Sequence, residues 1–125
     1  MNMILFICLD DNNGMMFNNR RQSMDVSVRK RILSIVKNKK LWMSEYTKKQ
    51  FTEECNVCAD ISQAEYAFIE NPNDMGDIVP EQIIVYRWNR KYPADVYFDL
   101  GERILKESTE FNGKSHEIIT EEIYI

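Results

Sequence analysis

The sequence predicts a single α/β domain over residues 1–125, with a mixed sheet in a two- or three-layer arrangement and a C-terminal antiparallel hairpin. Three observations predict it: a continuous apolar run at 3–9, a helical period at Val28, Ile32, Ile35 and Val36, and an alternating last quarter interrupted by Asn112-Gly113. With 44% hydrophobic residues among 125, the chain can bury one continuous core.

The run at 3–9 ends at Asp10-Asp11-Asn12-Asn13-Gly14, the pattern of a central strand leaving its sheet into a loop. Ser23 or Asp25 then caps a helix whose apolar positions share one face while Arg29, Lys30 and Lys37 point elsewhere, and which ends near Asn38. Leu41-Trp42-Met43 reads as a short strand, and Ser44 caps a short helix reaching Phe51. Residues 52–65 have no clear period and read as a connection with a turn of helix. Tyr66-Ala67-Phe68-Ile69 is a buried strand stopped by Glu70-Asn71-Pro72-Asn73, and Ile83-Ile84-Val85-Tyr86 begins another. Asn112-Gly113 predicts a tight hairpin with positive φ at both turn residues.

The opening segment lacks a basic leader and stops at two aspartates, which argues against a signal peptide, and no apolar run approaches the roughly 20 residues that span a bilayer. Three cysteines, an odd number, fit a reducing compartment, so the chain reads as cytoplasmic, either alone or as a simple homodimer. The net charge of −4 conceals a basic segment. Between residues 20 and 49, Arg20, Arg21, Arg29, Lys30, Arg31, Lys37, Lys39, Lys40, Lys48 and Lys49 face only Asp25 and Glu45. Such a stripe suits nucleic acid or a protein partner, or is simply a solvated helix face.

Asp25 is the foremost candidate for chemistry. A carboxylate near an apolar strand can have a raised pKa and hand a proton to a bound heterocycle; the alternative is a helix cap. Trp42, Tyr46 and Tyr86, with Trp88 and Tyr92, are candidates to line a pocket for a planar ring, or to fill core and strand faces. Arg20 and Arg21, with Arg87, Arg90 and Lys91, could hold the carboxylates or phosphates of a ligand. Cys55 and Cys58 have the spacing of half a zinc site, but no second pair follows, so no metal is expected. His116 is the lone histidine, and a surface or cross-strand role is expected of it rather than general-base work.

This order of elements, with particular residues, resembles dihydrofolate reductase. Asp10-Asp11-Asn12-Asn13-Gly14-Met15 is similar to that family's first loop, Leu41-Trp42-Met43-Ser44-Glu45-Tyr46-Thr47 to its strand ending in Met-Gly-Arg-x-Thr, and Gln82 to Asp99 to the stretch ending in Asp-Thr-x-Phe-Pro. The resemblance places Asp25 where the family's carboxylate binds and helps protonate the pterin ring, and Ser115-His116-Glu117 at the start of the last strand.

The departures weigh against a nicotinamide cofactor. Where the family's Gly-Gly pair lets backbone approach the pyrophosphate, this chain has Ile69-Glu70-Asn71-Pro72. Glu45 matches the phosphate-binding arginine, Arg20-Arg21 the Pro-Trp of the mobile loop, and Tyr86 the substrate-contacting threonine. The chain is also shorter than the family around 52–65. It resembles, in addition, short bacterial proteins labelled ribonuclease Z, through Gly14-Met15-Met16-Phe17-Asn18-Asn19-Arg20-Arg21-Gln22-Ser23 and Arg87-Trp88-Asn89-Arg90-Lys91-Tyr92-Pro93. A single histidine does not supply the ligands for two-metal phosphodiester hydrolysis.

The sequence therefore points to a dihydrofolate reductase-like domain without a cofactor, binding a small planar ligand or a protein partner and carrying out no redox chemistry. A divergent enzyme with Asp25 as proton donor and an interaction module using the 20–49 segment remain the alternatives.

Overall fold

A computed structural model describes residues 2–125. Its main sheet contains β1 (Ile4–Leu9), β4 (Leu41–Trp42), β5 (Val57–Cys58), β6 (Tyr66–Phe68), β7 (Gln82–Arg87), β9 (Leu105–Asn112) and β10 (Ile118–Tyr124), in the order β5-β4-β6-β1-β7-β10-β9. Strands β5 to β7 run parallel, β10 is antiparallel to β7, and β9 closes the edge antiparallel to β10. A smaller sheet joins β2 (Gly14–Phe17), β3 (Arg20–Arg21) and β8 (Val96–Tyr97) in the order β3-β2-β8. The two helices are α1 (Val26–Val36) and α2 (Glu45–Lys48).

Strand β1 sits inside the sheet, Phe6 pairing with Phe68 on one side and Ile84 on the other. Both of its faces are covered, which explains an unbroken apolar run where a half-exposed strand would alternate. Leu5, Ile7 and Leu9 pack with Met15, Met16, Met75 and Val85. Phe6 faces the other way, toward Val28, Ile32 and Val36 of α1 and Ile84 and Tyr86 of β7. Each fully buried side chain of this kind contributes about 1.5–3 kcal/mol, so α1 is held by its apolar stripe rather than by helix propensity.

Asp25 caps α1, accepting the Ser27 N–H at 2.8 Å. The helix ends slightly before Asn38, at Lys37, whose φ is 56° and whose N–H donates to the Leu33 carbonyl. Ser44 caps α2 through the Thr47 N–H at 3.2 Å, and bonds from Gln50 and Phe51 back to Thr47 and Lys48 carry the turn to the expected end.

Three stretches differ from expectation. Residues 52–65 hold the expected helical turn, Ile61–Gln63, but also strand β5, which pairs Val57 with Leu41. Two residues are too few to show alternation. The loop after β1 continues into β2 and β3, joined by Asn18 and Asn19 at φ of 51° and 61°. Two left-handed central residues match the twist of a tight hairpin, and asparagine tolerates that conformation.

The third difference is the last hairpin. Its strands pair as expected at the sheet edge, but residues 113–117 form a longer loop and neither Asn112 nor Gly113 has positive φ. The loop is folded around a side chain. A Cβ on Gly113 would lie 2.3 Å from the His116 carbonyl oxygen and 2.8 Å from Asp25 Oδ2, so close approach, not turn conformation, demands glycine here. Among the described residues no helix is long and apolar enough to cross a membrane.

Candidate functional site

The carboxyl ends of parallel strands are where α/β sheets leave room for ligands, because connections depart in opposite directions there. At the end of β1, Asp10 is buried and accepts the Asn12 and Gly14 N–H groups at 2.8 Å each, the Gln22 side-chain amide at 3.0 Å and the Tyr92 N–H at 3.1 Å. Burial pushes its carboxyl up, but these donors outweigh burial and hold it below the usual carboxylate range. Asp10 thus ties the small sheet to the loop after β7. Gly14 has no room for a side chain, since a Cβ would come within 2.8 Å of Asp10 Oδ2 and Ala94.

Beside this knot, Asp25 is buried and fully engaged. It accepts the backbone N–H groups of Lys114 at 2.9 Å, Ser115 at 2.9 Å and His116 at 3.0 Å, in addition to its capping bond. His116 Nδ1 lies 3.1 Å from Asp25 Oδ2. Burial does push the carboxyl up, as the sequence suggests, but the N–H donors and His116 outweigh it and hold the group well below the usual range. The raised pKa expected of a proton donor is therefore corrected: the Asp25 carboxyl is held below the usual range and accepts hydrogen bonds from the N–H groups around it.

His116 is buried and stacks on Trp88, with ring centroids 4.4 Å apart and planes at 21°. Its Nε2 lies 2.9 Å from Ser23 Oγ and 3.1 Å from the Tyr92 hydroxyl. The surface or cross-strand position expected of the histidine gives way to a position between an aspartate and a serine. The positions 23, 25 and 116 are too far apart in sequence for any local motif to announce the group.

The second cluster lies at the ends of β4 and β6. Arg21 Nε and Nη2 donate to the two Glu70 carboxylate oxygens at 2.6 and 3.0 Å, a bidentate pair supported by Thr47 Oγ1 at 2.8 Å and Gln50 Nε2 at 3.2 Å. The Arg21 guanidinium also lies over the Tyr46 ring, 4.2 Å from its centroid, and the Arg21 N–H donates to the Tyr46 hydroxyl at 3.1 Å. Tyr46 and Glu70 border a cavity of about 320 Å³ whose wall also includes Asn19, Ser44, Asn71 and Asp74. Asp74 is half-buried; burial, followed by the Glu70 charge, pushes its carboxyl up. Among the described residues its side chain joins no ion pair and accepts no hydrogen bond.

Of the residues singled out in the sequence, Tyr46 lines this cavity, and Arg21 lies against the Tyr46 ring without lining it. Arg20 is exposed and borders, with Arg21, Gln22 and Tyr92, a second cavity of about 380 Å³. Tyr86 is fully buried, between Phe6 and Phe111, with its hydroxyl donating to Glu121 at 2.9 Å. Trp42 packs on the core below the sheet. The basic 20–49 segment is broken up by pairing: Arg21 with Glu70, Arg29 with Glu53 and Arg31 with Glu121. Cys58 Sγ donates to the Asp60 carbonyl at 3.1 Å, and burial pushes the Cys55 thiol up. Asp74 was missed because an aspartate after proline reads as a turn; only its place three residues beyond Asn71 hinted at a rim.

No family model matches the sequence, and no curated protein matches it. Among solved structures, the chain is similar to dihydrofolate reductase from Enterococcus faecalis complexed with NADP(H) and RAB-propyl, with a TM-score of 0.67 over 98% of this chain and 95% of that one, at 8% identity. The fold is thus dihydrofolate reductase-like.

Proposed function

We propose that this dihydrofolate reductase-like domain binds a small, planar, positively charged ligand in the cavity at the carboxyl ends of β4 and β6, and that it does not carry out nicotinamide-dependent reduction. The observation that carries the reading is Asp74, a half-buried carboxylate with no cation beside it, in a cavity that already contains Glu70. An ionised group in that position is unfavourable until a counter-charge arrives, and a ligand cation supplies one. Tyr46 offers an aromatic wall, and Asn19, Ser44 and Asn71 offer polar groups to orient a ring.

The same carboxylates oppose a dinucleotide. On the sequence resemblance, the residues after β6 are those that would face the cofactor's phosphates, and this chain has Glu70, Asn71 and Pro72 there instead of two glycines. Arg21 does not reverse the sign, because its guanidinium charge is already paired with Glu70 through Nε and Nη2. Glu45, at the position of the family's phosphate-binding arginine, supplies no cation for a phosphate and is itself paired with Lys48 at 3.3 Å.

Benzamidine and benzamide test this directly, since they share a planar frame and differ in charge. Millimolar benzamidine is expected to raise the unfolding midpoint, benzamide to leave it unchanged, and Asp74→Asn to abolish the difference. Equal responses to the two compounds would overturn the reading.

A further inference from the structure

We propose that Ser23 is a nucleophile, activated by His116 and Asp25, that cleaves small esters or thioesters carrying an anionic group. The proposal goes beyond ligand binding at the Asp74 cavity and uses a different cavity. Three distances form the relay: Asp25 Oδ2 to His116 Nδ1 at 3.1 Å, His116 Nε2 to Ser23 Oγ at 2.9 Å, and His116 Nε2 to the Tyr92 hydroxyl at 3.1 Å. This is the chain of contacts by which a carboxylate orients an imidazole toward a hydroxyl.

The surroundings fix the direction of that chain. Asp25 cannot donate, because it accepts the N–H groups of Ser27, Lys114, Ser115 and His116, so the bond between it and Nδ1 requires the proton on Nδ1. In the neutral imidazole Nε2 is then the acceptor. Trp88 holds the ring against rotation by stacking. Nε2 has one lone pair, and Ser23 and Tyr92 cannot both donate to it. The shorter contact gives it to Ser23 and leaves the Tyr92 hydroxyl to donate to a substrate oxygen, the role of an oxyanion donor.

The substrate class follows from what Tyr92 borders. The cavity of about 380 Å³ is lined by Tyr92, Gln22 and Arg20, whose guanidinium joins no ion pair among the described residues; Ser23 and His116 do not line it, and Tyr92, whose hydroxyl is 3.1 Å from His116 Nε2, connects it to the relay. A carboxylate or phosphate on the acyl compound would pair with Arg20. Ser23 and Gln22 line a further space of about 10 Å³, and Gln22 Oε1 is buried without a hydrogen-bond partner. That space has the volume of about one water. Cys8 lines it too, but burial pushes its thiol well up and keeps it protonated, so it does not compete as a nucleophile.

In the reaction Ser23 Oγ bonds to the carbonyl carbon as its proton passes to His116 Nε2, and the carbonyl electron pair moves onto the oxygen facing Tyr92. Collapse breaks the bond to the alcohol or thiol, which leaves with the proton from His116. Water then attacks the acyl group on Ser23, giving its proton to His116; collapse releases the acid, and the proton returns to Ser23. The net change is ester plus water to acid plus alcohol.

Incubation with a fluorophosphonate, followed by intact mass and peptide mapping, tests the nucleophile without any mutation. One adduct on the peptide containing Ser23 is expected, absent after denaturation and absent in Ser23→Ala. p-Nitrophenyl hemisuccinate should be hydrolysed faster than p-nitrophenyl acetate. Ser23→Ala and His116→Gln should each reduce the rate about a hundredfold or more, and Arg20→Gln should raise KM for the hemisuccinate alone. No adduct on the folded protein, an adduct on any other residue, or hydrolysis unchanged in Ser23→Ala would overturn the proposal.

Discussion

His116 meets Asp25 Oδ2 twice, through its backbone N–H at 3.0 Å and its ring Nδ1 at 3.1 Å, so one carboxylate oxygen fixes both the path of the last loop and the orientation of its histidine. The same carboxylate caps α1 through Ser27, which joins the first helix of the chain to its final hairpin.

Asp25→Ala should therefore cost more than the loss of a cap. A cap alone is worth about 0.5–2 kcal/mol, and the unpaired loop N–H groups bring the expected loss to about 3 kcal/mol at neutral pH, read from denaturant unfolding. The pH dependence has a definite sign. The folded carboxyl is held below its unfolded value, so its contribution is present above the unfolded value, near pH 4, and is lost as pH falls toward the folded one. The gap in stability between wild type and Asp25→Asn should narrow below about pH 4. A gap that stays constant between pH 7 and pH 3 would show that the charge is not what the loop requires.

Gly113→Ala places a methyl group 2.3 Å from a backbone oxygen, a contact that only movement of the loop can relieve. The expected cost is about 1–3 kcal/mol, with the His116 ring displaced from Trp88. Ring-current shifts of the His116 protons report that displacement. Unchanged shifts with unchanged stability would mean that the loop does not pass so close to Asp25.

Asp74→Asn has the opposite expected sign. The folded carboxyl lies above its unfolded value, so ionising it at neutral pH opposes folding, and that penalty is absent at low pH and grows as pH rises through the folded value. The variant should be more stable than wild type at pH 7 and indistinguishable from it well below the carboxylate range. A loss of stability at pH 7 would show that Asp74 has a partner in solution.

How far these relationships were legible depends on their reach along the chain. Strand β1, helix α1 and the two Ser and Asp caps follow from local patterns, because burial on both faces gives a continuous apolar run and a stripe gives a 3.6 period. The β2–β3 turn was within reach, since Asn18-Asn19 is a pair suited to left-handed backbone. Asn112-Gly113 was misread for a tertiary reason: Asp25, distant in sequence, recruits the next three N–H groups and opens the turn. Arg21 and Tyr46 were found as candidates from residue type alone. Their use of Glu70, and the position of His116 between Asp25 and Ser23, depend on loops whose geometry no periodicity encodes.

The most direct test of the central claim is a calorimetric titration of the purified chain with NADPH and, in parallel, with benzamidine. The carboxylates at the ends of β4 and β6 predict saturable benzamidine binding that weakens as the pH falls through the raised Asp74 value, and no heat of binding from millimolar NADPH. Saturable NADPH binding with no response to benzamidine would contradict it.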